Sequence, residues 1–294
     1  MDSPLHITRR LAFLLGSSWT LAAAAGLDAR AAAPDAPFAT IESIVGGRLG
    51  VAALDTASGA RIAYRTDERF AMCSTFKWLL VAAVLARVDR GDIALARRIA
   101  FSAADLLSYA PVTRARLGEG GMPVADLCQA AVEVSDNTAA NLLLGLIGGP
   151  AGLTADLRRW GDSVTRLDRI EPDLNSNQAS DDRDTTTPAA MVRTMNAVLV
   201  GEVLSTDARA LLIGWMKNCQ TGRERLRAGL PADWTVGDKT GSGANGAFND
   251  VAILWPPSRP PILVAVYLTD TKASPQALRD AYGAIGRIVA TSFG

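Results

Sequence analysis

The sequence predicts an α+β fold: an antiparallel sheet of about five strands flanked by terminal helices, with an all-α domain inserted into it. Three observations predict this. Strand signals cluster near the two ends of the chain, the long stretch between them carries a helical pattern, and an isolated two-stranded hairpin is marginal in water. The two N-terminal strands therefore join the three C-terminal ones in a single sheet. The helical middle becomes an insertion, and the cleft between the two parts is the default place for a site. With 294 residues, 49% of them apolar and 20% charged, the chain can build a core of that size.

Taken in order, residues 37–45, opened by Pro37, read as a first terminal helix. Residues 48–55 (RLGVAALD) are mostly apolar, a turn follows at Thr56-Ala57-Ser58-Gly59, and residues 60–65 (ARIAYR) return, which is a β-hairpin signal. From about Ser74 to Asn218 the pattern is helical: 75–90 ending at Gly91, 138–146, 152–160 ending at Gly161, and 188–199. The last of these opens on Thr187-Pro188, a capping residue followed by a proline suited to the first helical position. Residues 234–239, 248–255 and 262–269 read as three further strands between Gly-rich or Pro-rich turns, and 275–290 as the closing helix. Residues 32–73 with 219–294 thus make the sheet domain, and 74–218 the helical one. There are no internal repeats.

The N-terminus reads as an address. Arg9-Arg10 precedes an apolar run lasting to about Ala25, and small residues follow, with Ala29-Arg30-Ala31 as one cleavage option. This predicts an export signal over residues 1–31 and a periplasmic protein; the arginine pair suggests the twin-arginine route. The run falls short of the ~18 uninterrupted apolar residues that span a bilayer, so no stable membrane anchor is expected. Lys and Arg number 30 against 30 Asp and Glu, which leaves no basic footprint for nucleic acid. The only histidine, His6, falls in the segment expected to be removed. A mature chain without histidine excludes a Ser-His-Asp or Cys-His site and any His-ligated metal, and no cofactor is expected. Cys73, Cys128 and Cys219 form no C-x-x-C and read as small core residues.

Only four lysines stand against 26 arginines. Lysine can lose its proton inside a protein and arginine effectively cannot, so each lysine is a position to inspect. Ser74-Thr75-Phe76-Lys77 puts a hydroxyl and an amine one turn apart on one helix face; without histidine, the amine is a natural base for the hydroxyl. The bland alternative is a Ser cap beside a snorkelling Lys. Ser135-Asp136-Asn137 precedes a helix and could be an N-cap cluster alone. Lys239-Thr240-Gly241-Ser242-Gly243 ends a strand and, taken alone, is an ordinary Gly-rich turn. Gly241 to Gly246 matches G-x-G-x-x-G, but a strand follows rather than a helix, so a dinucleotide site is discarded. Glu171-Pro172-Asp173-Leu174-Asn175 opens an aperiodic loop to about Asp184, which an Arg169–Asp184 pair could close as an Ω-loop.

S-x-x-K, S-D-N and K-T-G, in that order, are the set shared by class A β-lactamases and penicillin-binding proteins. Over nearly the whole mature chain the sequence resembles a class A serine β-lactamase. The resemblance implies Ser74 as the acylated nucleophile, Lys77 as its proton-transfer partner and Ser135 as the proton donor to the lactam nitrogen. It implies Asn137 as a ligand for the substrate's side-chain amide, and Lys239, Thr240 and Arg225 for its carboxylate. The backbone N–H groups of Ser74 and Ser242 would form the oxyanion hole. Glu171, oriented by Asn175, would activate the water that deacylates Ser74, and Tyr109 would stand at the cleft mouth, although it could equally be core. Either Lys77 or Glu171 could be the base in acylation.

The expected activity is hydrolysis of penicillins and cephalosporins, conferring resistance, by a monomer. Ser242-Gly243 resembles members that accept bulky cephalosporins. Gly243 and Val81 stand where the partners of Cys73 and Cys128 would be, so neither common family disulfide is expected. A transpeptidase, carboxypeptidase or S-x-x-K esterase shares the nucleophile but does not need Glu171-x-x-Leu174-Asn175. A covalent β-lactam sensor domain should be attached to a membrane span.

Overall fold

The structure, a computed structural model, describes residues 35–294; the export-signal reading of residues 1–31 and His6 lie outside the described residues. Five strands form one antiparallel sheet in the order β2-β1-β9-β8-β7: β1 Arg48–Asp55, β2 Arg61–Tyr64, β7 Thr235–Ser242, β8 Phe248–Trp255 and β9 Ile262–Thr269. The N-terminal hairpin joins the C-terminal strands through β1 and β9, which pair from Arg48↔Thr269 to Asp55↔Ile262. Both faces of the sheet are covered, which is why β9 reads as an unbroken apolar run. Its Ile262, Val264, Val266 and Leu268 join a core with helices α1 (Ala36–Val45) and α9 (Pro275–Phe293), while Leu263, Ala265 and Tyr267 join the core on the helical side.

Helix α2 (Phe76–Asp89) is the centre of that second core, with every residue from Phe76 to Ala86 buried, Lys77 included. Around it pack α4 (Val124–Glu133), α5 (Asn137–Ile147), α6 (Gly149–Arg159) and α8 (Thr206–Lys217). The short α3 (Pro111–Ala115) precedes α4, and α7 (Pro188–Met195) leans on β1 and β9. Two pairings of two-residue strands complete the fold: β3 Phe70–Ala71 with β6 Thr185–Thr186, and β4 Arg98–Ile99 with β5 Met122–Pro123. No single helix among the described residues is long and apolar enough to cross a membrane.

Four boundaries differ from expectation, each for a local reason. The α2 segment starts as a 3-10 turn, Cys73–Thr75, before the α-helix proper. Helix α6 begins at Gly149 because Pro150 fills its first turn without needing an N–H donor. Helix α7 stops at Met195 and runs on as a π-helical turn, Asn196–Val200. Strand β7 does not end at Lys239 but continues to Ser242, paired Thr240↔Asp250, Gly241↔Asn249 and Ser242↔Phe248. What reads as a Gly-rich turn is a strand whose glycine is required by a neighbour. A Cβ on Gly241 would lie 2.6 Å from the Met72 carbonyl oxygen and 3.1 Å from the Thr75 nitrogen. We expect Gly241→Ala to push β7 off the turn that carries Ser74 and to cost about 1–3 kcal/mol, read as a lower thermal unfolding midpoint together with lost activity.

Candidate active site

Ser74 lies in the 3-10 turn that α2 continues, and the backbone before it is unusual. Cys73 has φ 46°, in the left-handed region that a residue with a Cβ occupies at a cost. Lys77 follows in the first turn of α2 with its Nζ buried. It donates to Ser135 O at 2.8 Å, Ser135 Oγ at 3.2 Å and Asn137 Oδ1 at 2.5 Å, and it pairs with Glu171 Oε1 at 2.9 Å. Ser74 Oγ is 3.3 Å from the same Glu171 oxygen. Burial pushes the Lys77 ammonium below its ordinary value, and the Glu171 carboxylate opposes the shift.

The Ser135-Asp136-Asn137 stretch serves two purposes at once. Asp136 is the N-cap of α5, accepting from Ala139 N, and it also accepts from Val112 N, Thr113 N and the Thr113 hydroxyl. That buried carboxylate fixes the turn, and Ser135, at φ 61°, is thereby aimed at the lysines. Ser135 Oγ sits 3.2 Å from Lys77 Nζ and 3.2 Å from Lys239 Nζ, so one hydroxyl bridges two ammonium groups. Lys239, on β7, also donates to Thr240 O at 2.8 Å, and burial lowers it to about 8.

Glu171 is held by its surroundings on three sides. Asn175 Nδ2 donates to Glu171 Oε2 at 2.5 Å, and the peptide bond to Pro172 is cis. Asn141, one turn beyond Asn137 on α5, accepts from Glu171 N at 3.0 Å and donates to Glu171 O at 2.8 Å. Asn141 is a positioning residue that the sequence reading missed; its spacing of four from Asn137 was the available signal. The loop is closed as expected: Arg169 Nε pairs with Asp184 Oδ2 at 2.6 Å, and Asp184 Oδ1 accepts from the backbone of Asp168 and Arg169. Asp184 O in turn accepts from Met72 N at 2.9 Å, which ties the loop to the residues before Ser74.

Ser74, Ser135, Asn137, Asn175, Arg225, Thr240, Ser242 and Tyr109 line one cleft of about 370 Å³, with Lys77, Glu171 and Lys239 buried behind them. Tyr109 is 50% exposed at this cleft and is not a core residue. Arg225 is buried: it donates to Gly241 O at 2.9 Å and Ser242 Oγ at 2.7 Å, also to Asn249 O, and lies over the Phe248 ring at 3.7 Å. Thr221, not singled out from sequence, lines the cleft and shares a 2.5 Å hydroxyl contact with Thr240. Cys73, Cys128 and Cys219 are buried and unbridged. Among the described residues no group of three or more His, Cys, Asp or Glu could hold a metal ion.

Chemically, the arrangement offers a hydroxyl and a buried amine that meet on one carboxylate oxygen, a second hydroxyl between two amines, and a cationic wall. Known proteins resemble the chain over most of its length. Residues 36–293 match the sequence model of the beta-lactamase enzyme family. Beta-lactamase AST-1 of Nocardia asteroides is 52% identical over 241 residues, 82% of this chain and 77% of that one. Beta-lactamase L2 of Stenotrophomonas maltophilia is 49% identical over 275 residues, 91% of this chain and 90% of that one. The solved structure of an ancestral (GNCA) class A beta-lactamase is 57% identical, with a TM-score of 0.87, covering 88% of this chain and 99% of that one. The chain belongs to the class A β-lactamases and is a β-lactam hydrolase.

Proposed function

We propose that this hydrolase opens penicillins and cephalosporins through an acyl-enzyme on Ser74, which a water activated by Glu171 then hydrolyses. The observation that carries the reading is the single carboxylate oxygen, Glu171 Oε1, shared by Ser74 Oγ and Lys77 Nζ at 3.3 and 2.9 Å. Glu171 can take the Ser74 proton directly as the serine oxygen attacks the lactam carbonyl, or Lys77 can take it once it has passed one of its own protons to Glu171. The backbone N–H groups of Ser74 and Ser242 receive the developing oxyanion. Ser135, between two ammonium groups, passes a proton to the leaving nitrogen, and Lys77 or Lys239 replaces it. Asn137 receives the substrate's side-chain amide, and Lys239, Thr240 and Arg225 its carboxylate.

Deacylation is the step that separates a hydrolase from an acyl trap. Asn175 Oδ1 is a buried acceptor without a protein donor, beside the Glu171 carboxylate it orients. That pair of acceptors favours a water positioned for attack on the Ser74 ester, with Glu171 taking its proton. A transpeptidase or a sensor needs no such pair. The reading is tested by acid-quenching the protein within the first turnovers with a penicillin and mapping the adduct. A transient mass on the Ser74 peptide is expected, and its absence from that peptide at all times would sink the scheme.

Lys239 makes the alkaline side of the pH profile informative. Its ammonium is present below about 8 and lost above it, so kcat/KM is expected to fall about tenfold per pH unit beyond that value. The stability contribution runs the other way. From about 8 up to the ordinary 10.5, the unfolded chain keeps a proton that the folded chain lacks, so this contribution rises with pH. Activity that falls while the wild type gains stability relative to Lys239→Met over that window identifies the lysine; parallel loss of both would mean alkaline unfolding. The same reading takes residues 1–31 as the signal for export to the periplasm and the mature chain as a monomer of two parts, 32–73 with 219–294 and 74–218.

A further inference from the structure

Behind the cleft wall lie two acids that the hydrolytic scheme does not use. Asp238 and Asp250 are both 0% exposed. They share one face of β7 and β8, Asp250 opposite Thr240 and Asp238 opposite Ala252, which makes them diagonal neighbours across the ladder, with a small residue leaving them room. One oxygen of each is served: Arg227 Nε donates to Asp238 Oδ1, and Leu226 N donates to Asp250 Oδ2 at 3.2 Å. The other oxygen of each, Asp238 Oδ2 and Asp250 Oδ1, is buried and receives no N–H or O–H, and the weakly donating Cys219 thiol is the one further side-chain partner of the Asp238 carboxyl. Gly222 helps seal them off, since a Cβ there would lie 1.7 Å from Asp238 Oδ2.

An acceptor buried without a donor is costly, and two ionised carboxyls side by side out of water are costlier still. One proton removes both problems, because a protonated acid donates to its ionised neighbour. We propose that Asp238 and Asp250 hold a single proton between them, so that the pair carries one negative charge and acts as a positioning device for the substrate's carboxylate. The proposal rests on the reading that Thr240, Arg225 and Lys239 receive that carboxylate.

The charge count gives the reason. The groups acting on the pair are Arg225 and Arg227 from the segment before β7, the Cys219 thiol and Tyr282 from α9, while Lys239 and Tyr267 act on it from the opposite face of the sheet. Tyr282 is committed as a donor to Phe248 O. A pair with one negative charge balances Arg227, its hydrogen-bond partner, and leaves Arg225 and Lys239 as uncompensated cations at the cleft. A doubly ionised pair would balance Arg225 as well, and with it the charge that reaches the cleft beside Ser242 Oγ. Burial holds both carboxyls above the usual carboxylate range, while the two arginines pull the other way.

The test pairs infrared difference spectroscopy with KM measurements across pH on wild type, Asp250→Asn and Thr240→Ala. Asparagine gives Asp238 Oδ2 a permanent donor that cannot titrate. At about pH 6 the wild type should show a carboxylic-acid C=O stretch that Asp250→Asn lacks, with kcat little changed. The ratio of wild-type to Asp250→Asn KM for a penicillin should stay near one while that band persists, and rise about threefold or more as it disappears. The Lys239 titration is common to both proteins and cancels in the ratio. Asp238→Asn provides the same band test should Asp250→Asn fail to fold. A wild type with no acid band that either substitution removes, or a ratio that stays flat after the band is lost, would overturn the proposal. If the band behaves as expected but Thr240→Ala leaves KM unchanged, the carboxylate reading fails instead.

Discussion

Glu171→Ala should turn a catalyst into a stoichiometric acceptor. Intact mass after exposure to a penicillin is expected to show one stable adduct, mapped to Ser74, where the wild type returns unmodified and clears the drug. The physical reason is an asymmetry between the two half-reactions. A β-lactam is a strained amide that acylates readily, and Lys77 still has Ser135 O, Ser135 Oγ and Asn137 Oδ1 to hold its amine in place when the carboxylate is gone. The resulting ester is unstrained, and its hydrolysis depends on a water that has lost its base. Removing a general base costs about 10²–10⁴ in rate, so steady-state kcat should fall by that factor while the burst of one equivalent survives. A variant that neither turns over nor acylates would assign the acylation base to Glu171 as well. A wild type that itself holds the adduct would contradict Glu171 as the deacylating base.

Lys77→Ala is expected to be damaging on two counts that can be measured apart. Both side chains of the Lys77–Glu171 pair are fully buried at 2.9 Å, and removing one partner leaves the other charge stranded. Breaking such a pair costs about 3–5 kcal/mol, which should appear as a large drop in the thermal unfolding midpoint. Ser74 also loses the amine that shares its Glu171 oxygen, and acylation should slow by about 10²–10⁴. Lys77→Arg separates the two effects. It restores the charge and part of the stability, but a guanidinium cannot give up its proton and its planar fork does not fit three acceptors arranged for an ammonium. Stability recovered without acylation is the expected result; recovery of both would mean that Lys77 acts only as a charge.

Much of this site was legible because its parts are local. Ser74 and Lys77 are brought together by a single helical turn, and Asp136 capping α5 follows from residue type and position. The Arg169–Asp184 closure was legible too, since two charges flank an aperiodic segment. Elements carried by amphipathic contrast alone were harder to isolate. Helices α4 and α8 lie within the stretch that reads as helical, but only the structure separates them; the Ser205 cap of α8, which accepts from Ala208 N, was the usable mark. The π-helical turn after α7 and the two-residue strands have no sequence period long enough to be seen.

The sequence by itself determined the fold class, the closure of the sheet from both chain ends, the motif residues and the family. Helical and strand periods, caps and residue chemistry act over a few positions, and a linear reading resolves them. Only the tertiary structure decided which groups come within hydrogen-bonding distance. Lys77 meets Ser135 across 58 residues, Ser74 meets Glu171 across 97, and Lys239 meets Ser135 across 104. It also decided that Tyr109 faces the cleft, that Asn141 holds the Glu171 backbone, and that Asp238 and Asp250 lie side by side with an oxygen each unserved. Hydrogen bonds and charge interactions depend on distances of a few ångströms and on the exclusion of water. Neither exists until the sheet and the helices have closed on one another.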